Sequence, residues 1–138
     1  MKRIAFTVYG EPQGKARPRF TRIGRVYTPV KTISYEKEIA EKFRENSRIR
    51  KPLETDLKIT IYAYFEPCKS YSQKRKEKCL SNIEKPNKKP DIDNIAKVVL
   101  DGLNGIAYID DKQIVTLEVR KRYSGVARIE VVIVEEVE

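Results

Sequence analysis

Four stretches of the chain alternate apolar and polar residues, a period of two that is typical of β-strands with one buried face. In the clearest of them, residues 57–65, the odd positions are Leu, Ile, Ile, Ala and Phe, and the even positions are Lys, Thr, Tyr and Tyr. We predict strands over residues 4–9, 57–65, 113–123 and 127–134. Gly125 lies between the last two strands and indicates a turn, so we expect them to form a hairpin.

Residues 32–48 carry apolar side chains at helical spacing. Tyr35, Ile39 and Phe43 are four residues apart, so they would share one face of an α-helix. Thr32 or Ser34 is placed to cap this helix, because a hydroxyl can accept a hydrogen bond from the first turn. The opposite face is charged, and we therefore expect a packing helix with one solvated side.

A second helix is predicted from residue 91 to about residue 101. Its apolar stripe consists of Ile92, Ile95, Ala96, Val99, Leu100 and Leu103. Gly102 and Gly105 follow closely and are expected to break the helix. Asp93, Lys97 and Asp101 are four residues apart, so they would lie on one face.

Together these elements predict an α+β fold in a single domain that covers residues 1–138. The chain has 138 residues, an ordinary size for one domain and enough to bury a hydrophobic core. Hydrophobic residues make up 40% of the chain, which argues against a disordered protein. We expect a mixed β-sheet of about four to five strands packed with two to three helices.

The chain is strongly basic. Its 29 Lys and Arg residues exceed its 20 acidic residues, for a formal net charge of +9 and a pI near 9.5. Residues 11–31 hold six basic residues and one acid, and residues 69–89 hold eight basic residues and two acids. Segregated positive charge is typical of a protein that binds nucleic acid, although a basic loop can also be merely solvated.

We predict DNA contacts in both basic segments. In the first, arginines outnumber lysines, and Phe20 and Tyr27 lie among them, a composition suited to phosphate contacts and base stacking. In the second, a short helix is predicted over residues 72–80 with Ser72 as its cap. This segment either becomes ordered on nucleic acid or is a mobile linker. The predicted DNA-binding residues are Lys15, Arg17, Arg19, Arg22, Lys74, Arg75, Lys76, Lys88 and Lys89.

The composition disfavours several other classes of protein. The chain contains no histidine, which excludes Ser–His and Cys–His catalysis and zinc sites with histidine ligands. Proton transfer would fall to Asp, Glu, Lys, Tyr or a water activated by a metal ion. No apolar run has the length of a membrane span or of a signal-peptide core. We therefore expect a cytoplasmic protein with no membrane partner.

An acidic cluster interrupts this basic chain. Residues 91–111 contain five aspartates and a single lysine, Lys97. Clustered carboxylates supply the oxygen ligands that Mg²⁺ prefers, and the ion can bridge them to phosphate. The predicted ligands are Asp91, Asp93 and one or both of Asp110 and Asp111, while Lys97 would neutralise charge or orient water. Helix capping by the first two aspartates and a turn at the last two are the alternatives.

Longer motifs around this cluster resemble a known family. Residues 89–97 read Lys-Pro-Asp-Ile-Asp-Asn-Ile-Ala-Lys, residues 100–103 read Leu-Asp-Gly-Leu, and residues 108–114 read Tyr-Ile-Asp-Asp-Lys-Gln-Ile. Near the N-terminus, residues 14–19 read Gly-Lys-Ala-Arg-Pro-Arg and residues 27–29 read Tyr-Thr-Pro. Together the motifs resemble the signature of the RusA family of Holliday junction resolvases, and the likeness runs over most of the chain.

The resemblance implies a RusA-like endonuclease domain in a homodimer that uses Mg²⁺, with Mn²⁺ as a substitute. Such an enzyme makes paired symmetric nicks in four-way DNA junctions, in DNA recombination and repair. By motif, Asp91, Asp93 and Asp111 would be catalytic metal ligands and Lys97 the essential lysine, with Asp110 as an alternative ligand. The other functions considered are a basic DNA-binding protein without catalysis and a metal-dependent nuclease that acts on another branched DNA or on RNA.

Overall fold

The computed structural model describes residues 2–136. Six β-strands lie in this range: Arg3–Tyr9 (β1), Arg19–Phe20 (β2), Val26–Tyr27 (β3), Leu57–Phe65 (β4), Ile114–Tyr123 (β5) and Arg128–Glu135 (β6). The helices of the same range are Val30–Asn46 (α1), Gln73–Leu80 (α2) and Ile92–Leu103 (α3), together with a short 3-10 helix at Asp111–Gln113. The helix boundaries differ from the predicted ones by about two residues, an ordinary uncertainty for sequence patterns.

Four of the strands form one mixed sheet in the order β1-β6-β4-β5. β6 is antiparallel to both β1 and β4, whereas β4 and β5 are parallel, with Phe65 opposite Tyr123. β2 and β3 form a separate two-stranded hairpin in the basic N-terminal segment. The predicted α+β fold, with a mixed sheet of four to five strands and two to three helices, is confirmed.

The predicted hairpin between the last two strands is wrong. β5 and β6 are consecutive in the sequence, but β4 lies between them in the sheet and pairs with both. Every second residue of β4 is buried, and Ile59 and Ile61 have no accessible surface. A central position for such an apolar strand buries more surface than an edge position. The turn at Gly125 is local and does not specify the pairing partner of the strand that follows it.

α1 and α3 pack on the sheet and complete the hydrophobic core. Tyr35, Ile39 and Phe43 of α1 are all buried, as their spacing predicted. The Phe43 ring meets the ring of Phe6 on β1 edge to face, with the centroids 6.1 Å apart. Ile92 departs from the predicted stripe of α3, because it lies at the first position of the helix and is 49% exposed.

The start of α1 also differs from the prediction. The helix begins at Val30, directly after Pro29, and no side chain within residues 2–136 caps it. Neither Thr32 nor Ser34 therefore has the predicted capping role. The Thr32 side chain is buried, and its Oγ1 accepts a hydrogen bond from the backbone N–H of Ala16 at 3.3 Å. This bond ties the basic N-terminal segment to α1.

Gly102 lies inside α3 and does not break it. A Cβ at this position would come within 3.1 Å of the Glu36 carbonyl oxygen and 3.3 Å of the Glu36 Cα. The glycine therefore allows the backbones of α1 and α3 to approach closely. The helix ends at Leu103, and Gly105, two residues farther on, adopts a positive φ of 76°.

α2 is the predicted short helix, and its cap is as expected, since Ser72 Oγ accepts a hydrogen bond from the backbone N–H of Arg75. Cys79 is fully buried and joins the core. Arg75 also forms a salt bridge with Glu84 and lies 3.7 Å from the centroid of the Tyr71 ring. These contacts order the segment within the protein itself, so it is not a free linker. The packing of α2 on the core was hard to predict from the sequence, because a single cysteine among lysines forms no apolar pattern.

Candidate active site

The first turn of α3 presents two aspartates on opposite sides. Asp91 occupies the N-cap position and Asp93 lies in the first turn. The Asp91 backbone is extended, with φ of -70° and ψ of 156°, whereas Asp93 is helical, and the two aspartates line different grooves. The Asp91 carboxylate accepts no hydrogen bond from the helix that it precedes. Side-chain capping therefore does not account for Asp91, and both carboxylates remain candidates for chemistry.

Asp93 lies in a groove between α3 and β5, which we call the acidic groove. Lys97, Asp101 and Asp111 line the same groove. Its apolar walls are formed by Ile92, Ala96, Leu100, Leu117 and Val119. The structure thus brings together three of the predicted catalytic residues, which come from two elements separated by a loop.

Asp91 lines a second groove on the other side of α3, which we call the basic groove. Its cationic side chains are Lys15, Arg17, Arg19, Lys31 and Lys89. The volume of about 820 Å³ exceeds the 450 Å³ of the acidic groove and lies within the range of ligand-binding clefts. The first turn of α3 therefore lies between a groove with five cationic side chains and one carboxylate and a groove with three carboxylates and one lysine.

The basic N-terminal segment packs directly against α3. The backbone N–H of Lys15 donates a hydrogen bond to the Asn94 carbonyl at 2.9 Å. A Cβ at Gly14 would lie only 2.7 Å from the Cβ of Pro90 and 2.9 Å from the Cβ of Asn94. The glycine is therefore required by this close approach. Two motifs about eighty residues apart in the sequence form one continuous surface.

Lys15 is engaged within the protein. Its Nζ lies 2.8 Å from Glu36 Oε2 and 3.2 Å from Asp101 Oδ2. Partial burial alone would lower the pKa of the Lys15 ammonium, but the two carboxylates outweigh this effect and raise it. The side chain therefore links the N-terminal segment to α1 and α3. A DNA phosphate would have to compete with two carboxylates for this lysine.

The remaining predicted DNA contacts lie farther along the surface. Arg22 is exposed between β2 and β3, Lys74 is exposed on α2, and Lys76 on the same helix is half-buried. Lys88 Nζ lies 5.2 Å from the centroid of the Phe65 ring, whereas Lys89 lines the basic groove. The structure gathers Arg17, Arg19 and Lys89 beside Asp91 and places the α2 lysines on a separate element.

Asp110 and Asp111 are adjacent but have different surroundings in the structure. Asp110 is the N-cap of the short 3-10 helix, and its backbone N–H donates to Gln113 Oε1 at 3.0 Å. Asp111 begins that helix and lines the acidic groove with Asp93, whereas Asp110 lines neither groove. The geometry therefore favours Asp111 as the member of the pair that faces Lys97 and Asp93.

The four predicted metal ligands are not assembled around one point. In the described part of the chain, no three or more Cys, Asp or Glu side chains are close enough together to hold a metal ion. Asp93 and Asp111 nevertheless share a groove. Mg²⁺ often takes only one or two protein carboxylates and completes its shell with waters and phosphate oxygens. The donors present therefore fit a hard divalent ion whose further ligands are waters or phosphate oxygens.

Lys121 of β5 lies close enough to Asp91 for their charges to interact. The sequence did not single this lysine out as a candidate site residue. Its Nζ donates a hydrogen bond to the Lys88 carbonyl and lies 5.5 Å from the centroid of the Phe65 ring. Burial lowers the pKa of Lys121, and the nearby charge of Asp91 partly opposes this. The sequence does contain a sign of this role. Lys121 shares one face of β5 with Val119 and Tyr123, where an apolar residue would be expected.

The fold and its two grooves define the class of the protein. A basic groove suits DNA phosphates, and nearby aspartates that can hold a divalent ion suit cleavage of a phosphodiester bond. The family described as Endodeoxyribonuclease RusA matches residues 9–134, and the chain belongs to this family. The protein is therefore an endodeoxyribonuclease, a hydrolase of phosphodiester bonds in DNA, as the motifs indicated.

A curated relative is similar to the chain over nearly its full length. The "Uncharacterized protein YqaN" of Bacillus subtilis (strain 168) is 40% identical over 138 residues, which is 96% of each chain. RusA family nucleases generally depend on a divalent metal, and the family implies binding to DNA junctions. Among residues 2–136 no helix is both long enough and apolar enough to cross a membrane.

Proposed function

We propose that the protein is a Mg²⁺-dependent endonuclease that resolves four-way DNA junctions by paired symmetric nicks, in DNA recombination and repair. The observation that supports this most is the meeting of two grooves at the start of α3. One is basic, and the other carries Asp93, Lys97 and Asp111. Because the proposed substrate is DNA, we expect the protein to act in the cytoplasm.

In the proposed complex a DNA strand lies in the basic groove. Arg17, Arg19 and Lys89 line this groove and supply the positive charge that phosphates require. Asp91 borders the same groove, so a strand held there passes the N-terminus of α3. The positive end of the helix dipole also favours a phosphate at this position.

The carboxylates and Lys97 would divide the chemistry. We assign Asp93 and Asp111 as the side chains that hold the divalent ion, with Asp91 as a third carboxylate on the DNA side. When bound, Mg²⁺ or its substitute Mn²⁺ would ready a water for attack and stabilise the departing oxygen. The Lys97 ammonium would neutralise the charge that builds up on the phosphate. Because histidine is absent, these carboxylates are the natural proton acceptors.

We further propose that two copies of the chain act together. A four-way junction has two strands to cut at symmetric positions, and each copy would supply one site. A two-fold axis in a homodimer matches the symmetry of such a substrate. Simultaneous engagement of both sites would favour junctions over linear duplexes, since only a branched substrate presents both strands in the required arrangement.

A nicking assay tests the proposed function. Purified protein with Mg²⁺ or Mn²⁺ is expected to convert a labelled four-way junction into two nicked duplexes, with the cuts at symmetry-related positions. A linear duplex of the same sequence is the matched control and should be cut far more slowly. Protein that binds the junction but leaves it intact with either ion would be a DNA-binding protein without catalysis. Faster cutting of another branched DNA or of RNA would assign that substrate instead.

Replacing Arg17 or Arg19 with alanine is expected to weaken junction binding mainly at low salt. Each arginine that contacts a phosphate releases about one counterion, so its loss should reduce the slope of log K against log salt by about one. Binding should be measured from 50 to 200 mM salt with a catalytically inactive parent.

Arg50 provides a matched control for these two substitutions. It lines a different groove beside the end of α1, so Arg50→Ala removes the same charge without changing the basic groove. We expect Arg50→Ala to leave the salt slope unchanged. Equal slopes for all three variants and the parent would remove the basic groove from the DNA interface.

A further inference from the structure

Gln113 makes more side-chain hydrogen bonds than its place in a surface turn would require. Its Oε1 accepts from the backbone N–H groups of Ile109 and Asp110 at 2.9 Å and 3.0 Å. Its Nε2 donates to the carbonyl oxygens of Leu53 and Thr55 at 2.8 Å and 3.0 Å. Both hydrogens of the amide nitrogen and both lone pairs of the amide oxygen are therefore used.

These bonds join two backbone segments that are far apart in the sequence. One is the turn at Ile109 and Asp110, which immediately precedes Asp111. The other is the segment from Leu53 to Thr55, which leads into β4 and is itself tied to the turn by the hydrogen bond from the Leu53 N–H to the Ala107 carbonyl at 2.8 Å. The turn that carries Asp111 is thus attached to the entry of the central strand.

The same turn is attached to α3 on its other side. Tyr108 has no accessible surface, and its hydroxyl donates to the Leu100 carbonyl of α3 at 2.5 Å. α3 carries Asp93 and Lys97 in the acidic groove. Asp111 therefore sits on a short turn held between the helix and the sheet, and Gln113 bonds both to this turn and to the segment that enters β4.

We propose that Gln113 is a positioning residue, which holds Asp111 at the distance from Asp93 that a shared divalent ion needs. This inference rests on the proposed function, in which these two carboxylates hold the ion. Gln113 acts through the backbone and touches neither the ion nor the DNA. A carboxylate on a loosened turn would still reach the ion, but it would have to be ordered on binding, and the affinity would fall.

Glutamine suits this role better than glutamate or asparagine, the two residues most similar to it in shape. A glutamate of almost the same shape would turn two donors into acceptors and place a carboxylate against the Leu53 and Thr55 carbonyls. An asparagine is one methylene shorter and would not span the two segments. Gln113→Glu therefore removes the tie to the sheet with little change in volume, and Gln113→Ala removes all four bonds.

Binding of Mn²⁺ to the DNA-free protein is the decisive measurement, because Mn²⁺ has an electron paramagnetic resonance signal that is lost when the ion is bound. Both Gln113→Ala and Gln113→Glu are expected to raise the dissociation constant for Mn²⁺ by about 10- to 100-fold. Affinity for a four-way junction without divalent ions should stay within about twofold of the parent. Cleavage should approach the parental rate at saturating Mn²⁺.

Gln73→Ala is the matched control, because Gln73 is an exposed glutamine at the start of α2. It should bind Mn²⁺ like the parent. If both Gln113 variants, folded by circular dichroism, also bind Mn²⁺ like the parent, Gln113 does not position the site. If Gln113→Ala fails to fold, the Gln113→Glu result decides. A parent that neither binds Mn²⁺ nor cuts junctions would instead overturn the proposed function, which separates the two failures.

Discussion

Asp93→Asn is expected to slow junction cleavage by about 10²- to 10³-fold, the cost typical of removing one electrostatic contact to the reacting group. Asparagine keeps the shape of the side chain and removes only its charge. Asp93 lies in the acidic groove with Lys97 and Asp111, so the loss should fall on ion binding and on the chemical step. Single-turnover cleavage of a labelled four-way junction at saturating protein measures that step.

Junction binding should respond in the opposite direction. The Asp93 carboxylate repels DNA phosphates, so Asp93→Asn should bind the junction as tightly as the parent, or more tightly, when no divalent ion is present. A variant that loses cleavage and binding together would indicate a folding defect. The distinction requires a binding measurement on the same preparation that is used for cleavage.

Glu45→Gln is the control for the charge change. Glu45 lies in the last turn of α1, where its exposed side chain pairs with Lys42 at 3.3 Å. Exposed pairs of this kind contribute little to stability. The variant loses one negative charge, as Asp93→Asn does, and should cut within about twofold of the parental rate. Cleavage by Asp93→Asn at that same rate would show that Asp93 is not part of the active site.

Asp111→Asn should reduce cleavage by about 10²-fold or more, whereas its neighbour Asp110→Asn should cost less than about fivefold. The two substitutions remove identical charges from adjacent residues, so each is the control for the other. The structure predicts the difference because Asp111 lines the acidic groove and Asp110 lines neither groove. Rates should be compared over a range of Mg²⁺ concentrations.

The dependence on Mg²⁺ adds a second criterion to this comparison. If Asp111 holds the ion, Asp111→Asn should need a higher Mg²⁺ concentration for half-maximal cleavage, and Asp110→Asn should follow the parental curve. The reverse order of effects would move the ligand role to Asp110. It would also mean that the turn rearranges when DNA or the ion binds.

The sequence was most informative where the signal is local. The alternation in β4 located that strand at Leu57–Phe65, and the stripe of Tyr35, Ile39 and Phe43 located α1. Both patterns arise because a strand or helix must turn one face to the core, which holds whatever its neighbours are. The motifs of the acidic cluster were equally local, and they led to the RusA family that the match over residues 9–134 confirms.

Local patterns failed where the outcome depends on a partner element. Gly125 marks a turn, but only the packed sheet shows that β4 lies between β5 and β6. Gly102 looks like a helix break, but the approach of α1 shows why a glycine stands inside α3. Lys15 looks like a free cation in a basic segment, yet it has two carboxylate partners from different helices.

The candidate site shows the same division. Sequence alone determined the class of protein, the α+β fold and the residue types available for chemistry, because these follow from composition, periodicity and motif. The sequence predicted Asp91 and Asp93 as ligands of one ion, because they are two residues apart in one motif. Only the tertiary structure decided that Asp93 and Asp111 share a groove while Asp91 borders a basic one. The reason is physical: grooves form between elements, and no single segment of the chain encodes the distance to another.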